Sequence, residues 1–104
     1  MTVYNKLVRD RIPELIRAQG ETPRIRILEQ EEYTAHLEAK LDEEVAEFHR
    51  DRNLEELADI LEVVYALAEG LGHNRQDLEA VYDRKHKARG GFRDRIFLIS
   101  KEEI

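Results

Sequence analysis

The chain has 104 residues, of which 41% are hydrophobic and 38% charged, with a net charge of -6 and no cysteine. This length predicts one domain, residues 1–104, and the acidic balance argues against nucleic-acid binding, which requires a basic surface. Because no long apolar run or N-terminal hydrophobic leader is found, we expect no membrane span and no secretory signal, and a cytoplasmic location.

The first third of the chain predicts one short helix between irregular segments. Residues 1–9 are typical of an extended lead-in. A helix is expected over residues 11–19, with Asp10 as its N-cap and Gly20 as its stop. Residues 25–28 alternate isoleucine with other residues, which predicts a short strand or an extended connector.

Three longer helices are predicted in the rest of the chain, over residues 30–51, 53–69 and 74–89. Asn53 is the expected N-cap of the second of these, and the loop before it is short. Such a loop makes the helices on either side of it an antiparallel hairpin.

The end of the chain contains the clearest β pattern, Ile96-Phe97-Leu98-Ile99. We expect residues 96–99 to pair with residues 25–28 as a small antiparallel ribbon beside the helices. The predicted fold class is therefore all-α, with four helices and this ribbon.

Carboxylates lie where apolar residues are expected in the two central helices. At about 100° per residue, Glu44 lies roughly 20° from the apolar arc of its helix, and Glu47 follows on the same flank. In the next helix, Glu56 falls within the apolar face and Asp59 borders it. A buried charge needs a cation, and Lys40 is the one basic residue near these faces.

The antiparallel hairpin places the two acidic pairs at similar height, facing each other. Several carboxylates in a dry groove repel one another unless a cation neutralises them. Oxygen ligands without cysteine or suitably spaced histidine indicate Mg²⁺, or Mn²⁺, as that cation.

Acids three residues apart also commonly mark an ordinary solvated helix face. The alternative function is therefore a non-enzymatic helical interaction module whose acidic patch binds a basic partner. The apolar arc of the helix over residues 53–69 is wider than one neighbouring helix can cover, so a homodimer or homotetramer is expected.

The order of the motifs resembles the MazG-like, all-α nucleoside triphosphate pyrophosphatase superfamily, whose hallmark is an ExxE motif followed by an ExxD motif on adjacent helices. Here these are Glu43-Glu44-Val45-Ala46-Glu47 and Glu56-Leu57-Ala58-Asp59. The opening Tyr4-Asn5-Lys6-Leu7-Val8-Arg9-Asp10-Arg11-Ile12-Pro13, and Lys85 followed by Arg89-Gly90-Gly91-Phe92, are similar to a short single-domain branch. Members of that branch are regarded as house-cleaning enzymes for non-standard nucleotides.

The resemblance implies a four-helix bundle and Mg²⁺-dependent hydrolysis of a nucleoside triphosphate between the α- and β-phosphates. It implies metal binding by four carboxylates, which are Glu44, Glu47, Glu56 and Asp59. Glu43 would join them in catalysis by orienting or deprotonating the attacking water. The candidate phosphate-binding residues are Lys85, Arg89, Lys6, Arg9 and Arg11. Phosphoribosyl-ATP pyrophosphohydrolase, which shares this fold and chemistry, is the alternative enzyme.

Overall fold

The computed structural model describes residues 1–103 and contains four helices. They are α1 (Ile12–Ala18), α2 (Gln30–Asp51), α3 (Leu54–Gly70) and α4 (Arg75–Arg89). Residues 1–103 contain no strand, and none of their helices is both long and apolar enough to cross a bilayer. The all-α prediction is confirmed.

The central element is a hairpin of α2 and α3, which pack along each other. Only Arg52 and Asn53 separate the two helices. Arg52 turns the chain with φ +49°, in the left-handed region, and its N–H donates to the Phe48 carbonyl at 2.8 Å. The Asn53 side chain then accepts from the Glu56 N–H at 3.0 Å and starts α3. This local chemistry fixes the predicted hairpin.

Helix α4 meets α3 near its own first turns. A reciprocal capping box between Asn74 and Asp77 starts α4, with Asp77 N–H donating to Asn74 Oδ1 at 2.8 Å. The Arg75 guanidinium lies 4.4 Å from the centre of the Tyr65 ring, whose hydroxyl donates to Glu79 Oε1 at 3.4 Å. These contacts join the start of α4 to the second half of α3.

The start of α1 differs by one residue from the prediction. Arg11, not Asp10, is the N-cap, and it makes no capping bond through its side chain. Pro13 in the first turn has no N–H to satisfy there, so α1 begins without a side-chain acceptor. Gly20 follows the helix with φ +84°, as expected of a stop signal.

The predicted ribbon between residues 25–28 and 96–99 is wrong for the described chain, which has no strand in either segment. Ile27 is 87% exposed and Phe97 is also 87% exposed, so neither segment has an apolar surface to pack on. An isolated two-stranded ribbon without such a surface is marginally stable. Apolar residues in these two segments are therefore not sufficient to form the ribbon.

The single chain is elongated and buries little. Its radius of gyration is 18.6 Å, against about 13 Å for a compact chain of this size. The buried hydrophobic residues are Leu37, Val63 and Ala68, all on the hairpin. Part of the apolar face of α3 remains uncovered, with Leu57 and Leu61 both close to half exposed.

Candidate functional site

Glu44 on α2 is the one charged residue among those that the described chain buries, and it is only 7% exposed. Its apolar neighbour Val45 is by contrast 36% exposed. The face of α2 that packs on α3 is therefore centred closer to Glu44 than to Val45. This arrangement places an acid in the interior of the hairpin.

Four other carboxylates surround Glu44, and they are the four that the sequence singled out with it. Oxygens of Glu44, Glu56 and Asp59 lie within 4.8 Å of one another across the hairpin. Oxygens of Glu43, Glu44 and Glu47 do so along α2. Glu44 belongs to both groups, so the five acids form one cluster, which we call the acidic cluster.

Two carboxylate oxygens of the acidic cluster are buried and lack any hydrogen-bond partner. They are Glu44 Oε2 and Glu56 Oε2. The Asn53 capping arrangement helps to explain the second atom. Asn53 accepts from the backbone of Glu56, but the Glu56 side chain does not complete the capping box and is left for the cluster. Buried polar atoms without partners are costly, so a cation beside these two oxygens would be favourable.

Crowding and burial change the proton affinity of the cluster. Burial, followed by the neighbouring Glu47 carboxyl and the charge of Asp59, raises the pKa of Glu44 to about 7. Burial and the charge of Glu47 likewise raise the pKa of Glu56. Without a divalent cation, Glu44 therefore stays partly protonated near neutral pH, where a separate carboxylate would be ionised.

Two basic side chains touch the rim of the acidic cluster. Lys40 Nζ lies 3.4 Å from Glu43 Oε2 and 3.8 Å from Glu44 Oε1, and its side chain is largely buried. Arg9 bridges to α3, with Nη1 at 3.5 Å from Asp59 Oδ1 and Nη2 at 3.1 Å from Glu62 Oε1. These two charges offset five carboxylates only in part.

The donor set fits a hard divalent cation. All the converging atoms are carboxylate oxygens, and no cysteine occurs in the chain. Mg²⁺ and Mn²⁺ prefer such ligands, and a divalent charge would satisfy the two unpartnered oxygens directly. The buried orphan atoms distinguish this cluster from a solvated acidic face.

The candidate phosphate-binding residues lie in four different places. Arg9 reaches the acidic cluster, whereas Arg11 pairs with Glu14 of its own helix at 3.2 Å. Lys6 lies 6.0 Å from the centre of the Tyr4 ring. Lys85 and Arg89 are exposed on α4, and α4 does not approach α2 within the described chain.

The sequence does not predict the contact between Arg9 and Glu62. The sequence offers no periodic signal for it, since residues 1–9 have no regular structure. Lys40 was the one nearby cation that helical phase could identify, and it is found at the cluster.

A comparison with known proteins finds an uncharacterized protein of Mycolicibacterium smegmatis that is 65% identical over 54 residues. The match covers 48% of this chain and 55% of that protein, so the chain spans about half the length of the relative. No protein-family model and no solved structure matches the chain.

Proposed function

We propose that the chain is a metal-dependent nucleoside triphosphate pyrophosphohydrolase of the MazG-like superfamily, cleaving the bond between the α- and β-phosphates. The single observation that carries the proposal is Glu44, a buried carboxylate with an unpartnered oxygen at the centre of five converging acids. A structural salt bridge does not need so many acids. Converging carboxylates of this kind can hold divalent cations together with substrate phosphates.

Glu44, Glu47, Glu56 and Asp59 would hold Mg²⁺ or Mn²⁺ across the two helices of the hairpin. When bound, the metal supplies neutralisation of the triphosphate and acidification of a coordinated water. Rigid helical placement keeps the four carboxylates together before the ligand arrives, which limits the ordering cost of binding.

Glu43 has a different environment from the other acids. Its side chain is 41% exposed, and it hydrogen-bonds to Lys40 at the edge of the cluster. An exposed carboxylate beside a site can accept a proton from a water molecule and pass it to solvent. We assign Glu43 to orienting or deprotonating the attacking water.

Positive side chains are needed where negative charge accumulates on the departing pyrophosphate. Arg9 is at the cluster, and its exposed guanidinium exchanges carboxylate partners for phosphate at little cost. Lys85, Arg89, Lys6 and Arg11 remain the further candidates. House-cleaning of non-standard nucleotides is the physiological role that the sequence motifs favour.

The test is a panel of standard, deaminated and oxidised nucleoside triphosphates, together with phosphoribosyl-ATP, incubated with Mg²⁺ or Mn²⁺ and followed by phosphorus NMR. We expect a nucleoside monophosphate and pyrophosphate as the first products from at least one triphosphate. Orthophosphate and a nucleoside diphosphate as first products would contradict cleavage at the α–β bond. Turnover of phosphoribosyl-ATP alone would identify the alternative enzyme, and no turnover at all would favour the interaction module.

A further inference from the structure

One acid of α3 lies beside the candidate site without belonging to the acidic cluster. Glu62 follows Asp59 by three residues and lies about 60° from it around the helix axis. Its side chain is 57% exposed, and it is not among the carboxylates whose oxygens converge with those of Glu44. Glu62 therefore bears on the site through its basic neighbour, Arg9.

The Arg9 guanidinium contacts two carboxylates in unequal ways. Its Nη2 donates a hydrogen bond to Glu62 Oε1 at 3.1 Å. Its Nη1 lies 3.5 Å from Asp59 Oδ1, which is an ion pair longer than a normal hydrogen bond. The directed contact is therefore the one with Glu62, and Asp59 is the partner that is easier to exchange.

Two positive groups need Asp59 in the proposed site. Asp59 is one of the proposed metal ligands, so a guanidinium that took both of its oxygens would compete with the cation. A guanidinium has a planar fork of donors that matches a single carboxylate bidentately. Because Glu62 already accepts from one edge of this fork, Arg9 does not close fully on Asp59.

Neither the backbone nor a second acid orients the Arg9 side chain in this way. Residues 1–9 have no regular structure, and the Arg9 carbonyl accepts from the Ile12 N–H at 3.0 Å, which fixes only the start of α1. Arg75 lines the same cleft as Arg9 and Glu62, but its Nε donates to Glu79 at 2.8 Å. Glu62 is thus left to Arg9, and it sets where the guanidinium lies.

We propose that Glu62 is a positioning residue, which holds Arg9 so that Asp59 stays available to the cation and Arg9 to a substrate phosphate. The part that concerns phosphate rests on the proposed function. When a nucleotide binds, Arg9 exchanges Asp59 for phosphate oxygens and keeps Glu62. An exposed ion pair of this kind adds little to stability, so the effect should be found in binding and turnover.

Mn²⁺ titration calorimetry without nucleotide tests the positioning through Arg9→Gln, Glu62→Ala and the double variant. Glu62→Ala should bind Mn²⁺ about tenfold more weakly than the parent, because the released guanidinium then closes on Asp59. In the Arg9→Gln background, the same substitution should change the affinity by less than about twofold, because no guanidinium is left to do so. Parental affinity in Glu62→Ala, or an equal loss in both backgrounds, would overturn the proposal.

Two further variants separate the position of Glu62 from its charge. Glu69 is exposed two turns further along the same side of α3, so Glu69→Ala removes an equal charge and should keep the parental affinity. Glu62→Gln should lose less affinity than Glu62→Ala, because its amide oxygen still accepts from Arg9. Equal affinities of Glu62→Ala and Glu69→Ala, or of Glu62→Ala and Glu62→Gln, would overturn the positioning. Alanine favours helix, and circular dichroism checks that each variant is folded.

Turnover of a triphosphate gives the second measurement. Glu62→Ala should lower kcat/KM about tenfold, and the double variant should be no slower than Arg9→Gln, because both changes remove the same phosphate contact. A double variant slowed by the product of the two single losses would overturn the route through Arg9 and leave the proposed function standing. A parent that turns over no nucleotide would count against the proposed function instead, while the Mn²⁺ titrations still decide the positioning.

Discussion

The α2–α3 hairpin and residues 79–103 have similar kinds of side chains but differ in how much of them is buried. Both contain apolar side chains beside charges, and both include regular helix. The hairpin holds every buried residue of the described chain, including Glu44, whereas residues 79–103 bury none. The difference shows that an amphipathic pattern predicts a surface to be covered but does not say which chain covers it.

The largest difference between the two regions is expected when an apolar side chain is shortened in each of them. Leu37→Ala deletes a buried side chain of the hairpin and should lower the free energy of unfolding by about 2–4 kcal/mol. Leu98→Ala removes an exposed side chain and should change the free energy of unfolding of the single chain by less than about 0.5 kcal/mol. Urea denaturation at several protein concentrations checks both values, since Leu98→Ala should act only where copies associate. Equal losses at high dilution would remove the distinction between the regions.

Between pH 5 and pH 8, the pH dependence of stability should report mainly on Glu44 in the hairpin. The pKa of Glu44 rises from an ordinary 4.5 to about 7, so the folded protein binds a proton more tightly than the unfolded chain does. Stability of the metal-free protein is therefore greatest below about pH 4.5 as far as Glu44 is concerned, and falls as the pH rises toward 7. The loss is on the order of 2–3 kcal/mol.

Thermal unfolding in a chelator, from pH 5 to pH 8, measures this change. Glu44→Gln should flatten the curve, because an amide has no proton to lose, and an exposed control such as Glu69→Gln should not. A curve that keeps its slope in Glu44→Gln would place the titration in another group.

A smaller effect is expected at the start of α4, where local bonds replace packing. Asn74→Ala removes the acceptor for the Asp77 N–H and should cost about 1 kcal/mol of helix stability. Because most of α4 has no tertiary contact, the loss should appear as reduced helical circular dichroism before global unfolding. Asn53→Ala, at the matching position of α3, should show no such early loss, since the hairpin holds that helix.

Much of the hairpin could be predicted because its determinants are local. A helical period of about 100° per residue was enough to direct Glu44 and Glu56 inward, and the single residue Asn53 was enough to locate the loop. The convergence of the five acids followed from these facts. The exposure of Val45 could not be predicted in this way, because it depends on how far α2 is rotated about its axis against α3.

The remaining features depend on contacts between distant parts of the chain. No periodicity connects Arg9 to Asp59, because Arg9 lies in an irregular segment. Residues 96–99 have the composition of a strand but need a surface and a neighbouring strand, and the chain gives them neither. A sequence pattern identifies which apolar surfaces would gain from burial, and only the tertiary structure shows whether another part of the chain packs on them.

The central claim is that the acidic cluster binds a divalent cation, and Mn²⁺ titration calorimetry of the parent, Glu44→Gln and Glu69→Gln tests it most directly. The parent and Glu69→Gln should bind Mn²⁺ alike in the presence of a non-hydrolysable nucleotide analogue. Glu44→Gln should lose at least about tenfold in affinity while keeping its helical content, because one ligand and one charge are gone. Equal binding of Mn²⁺ by Glu44→Gln and the parent would contradict the account.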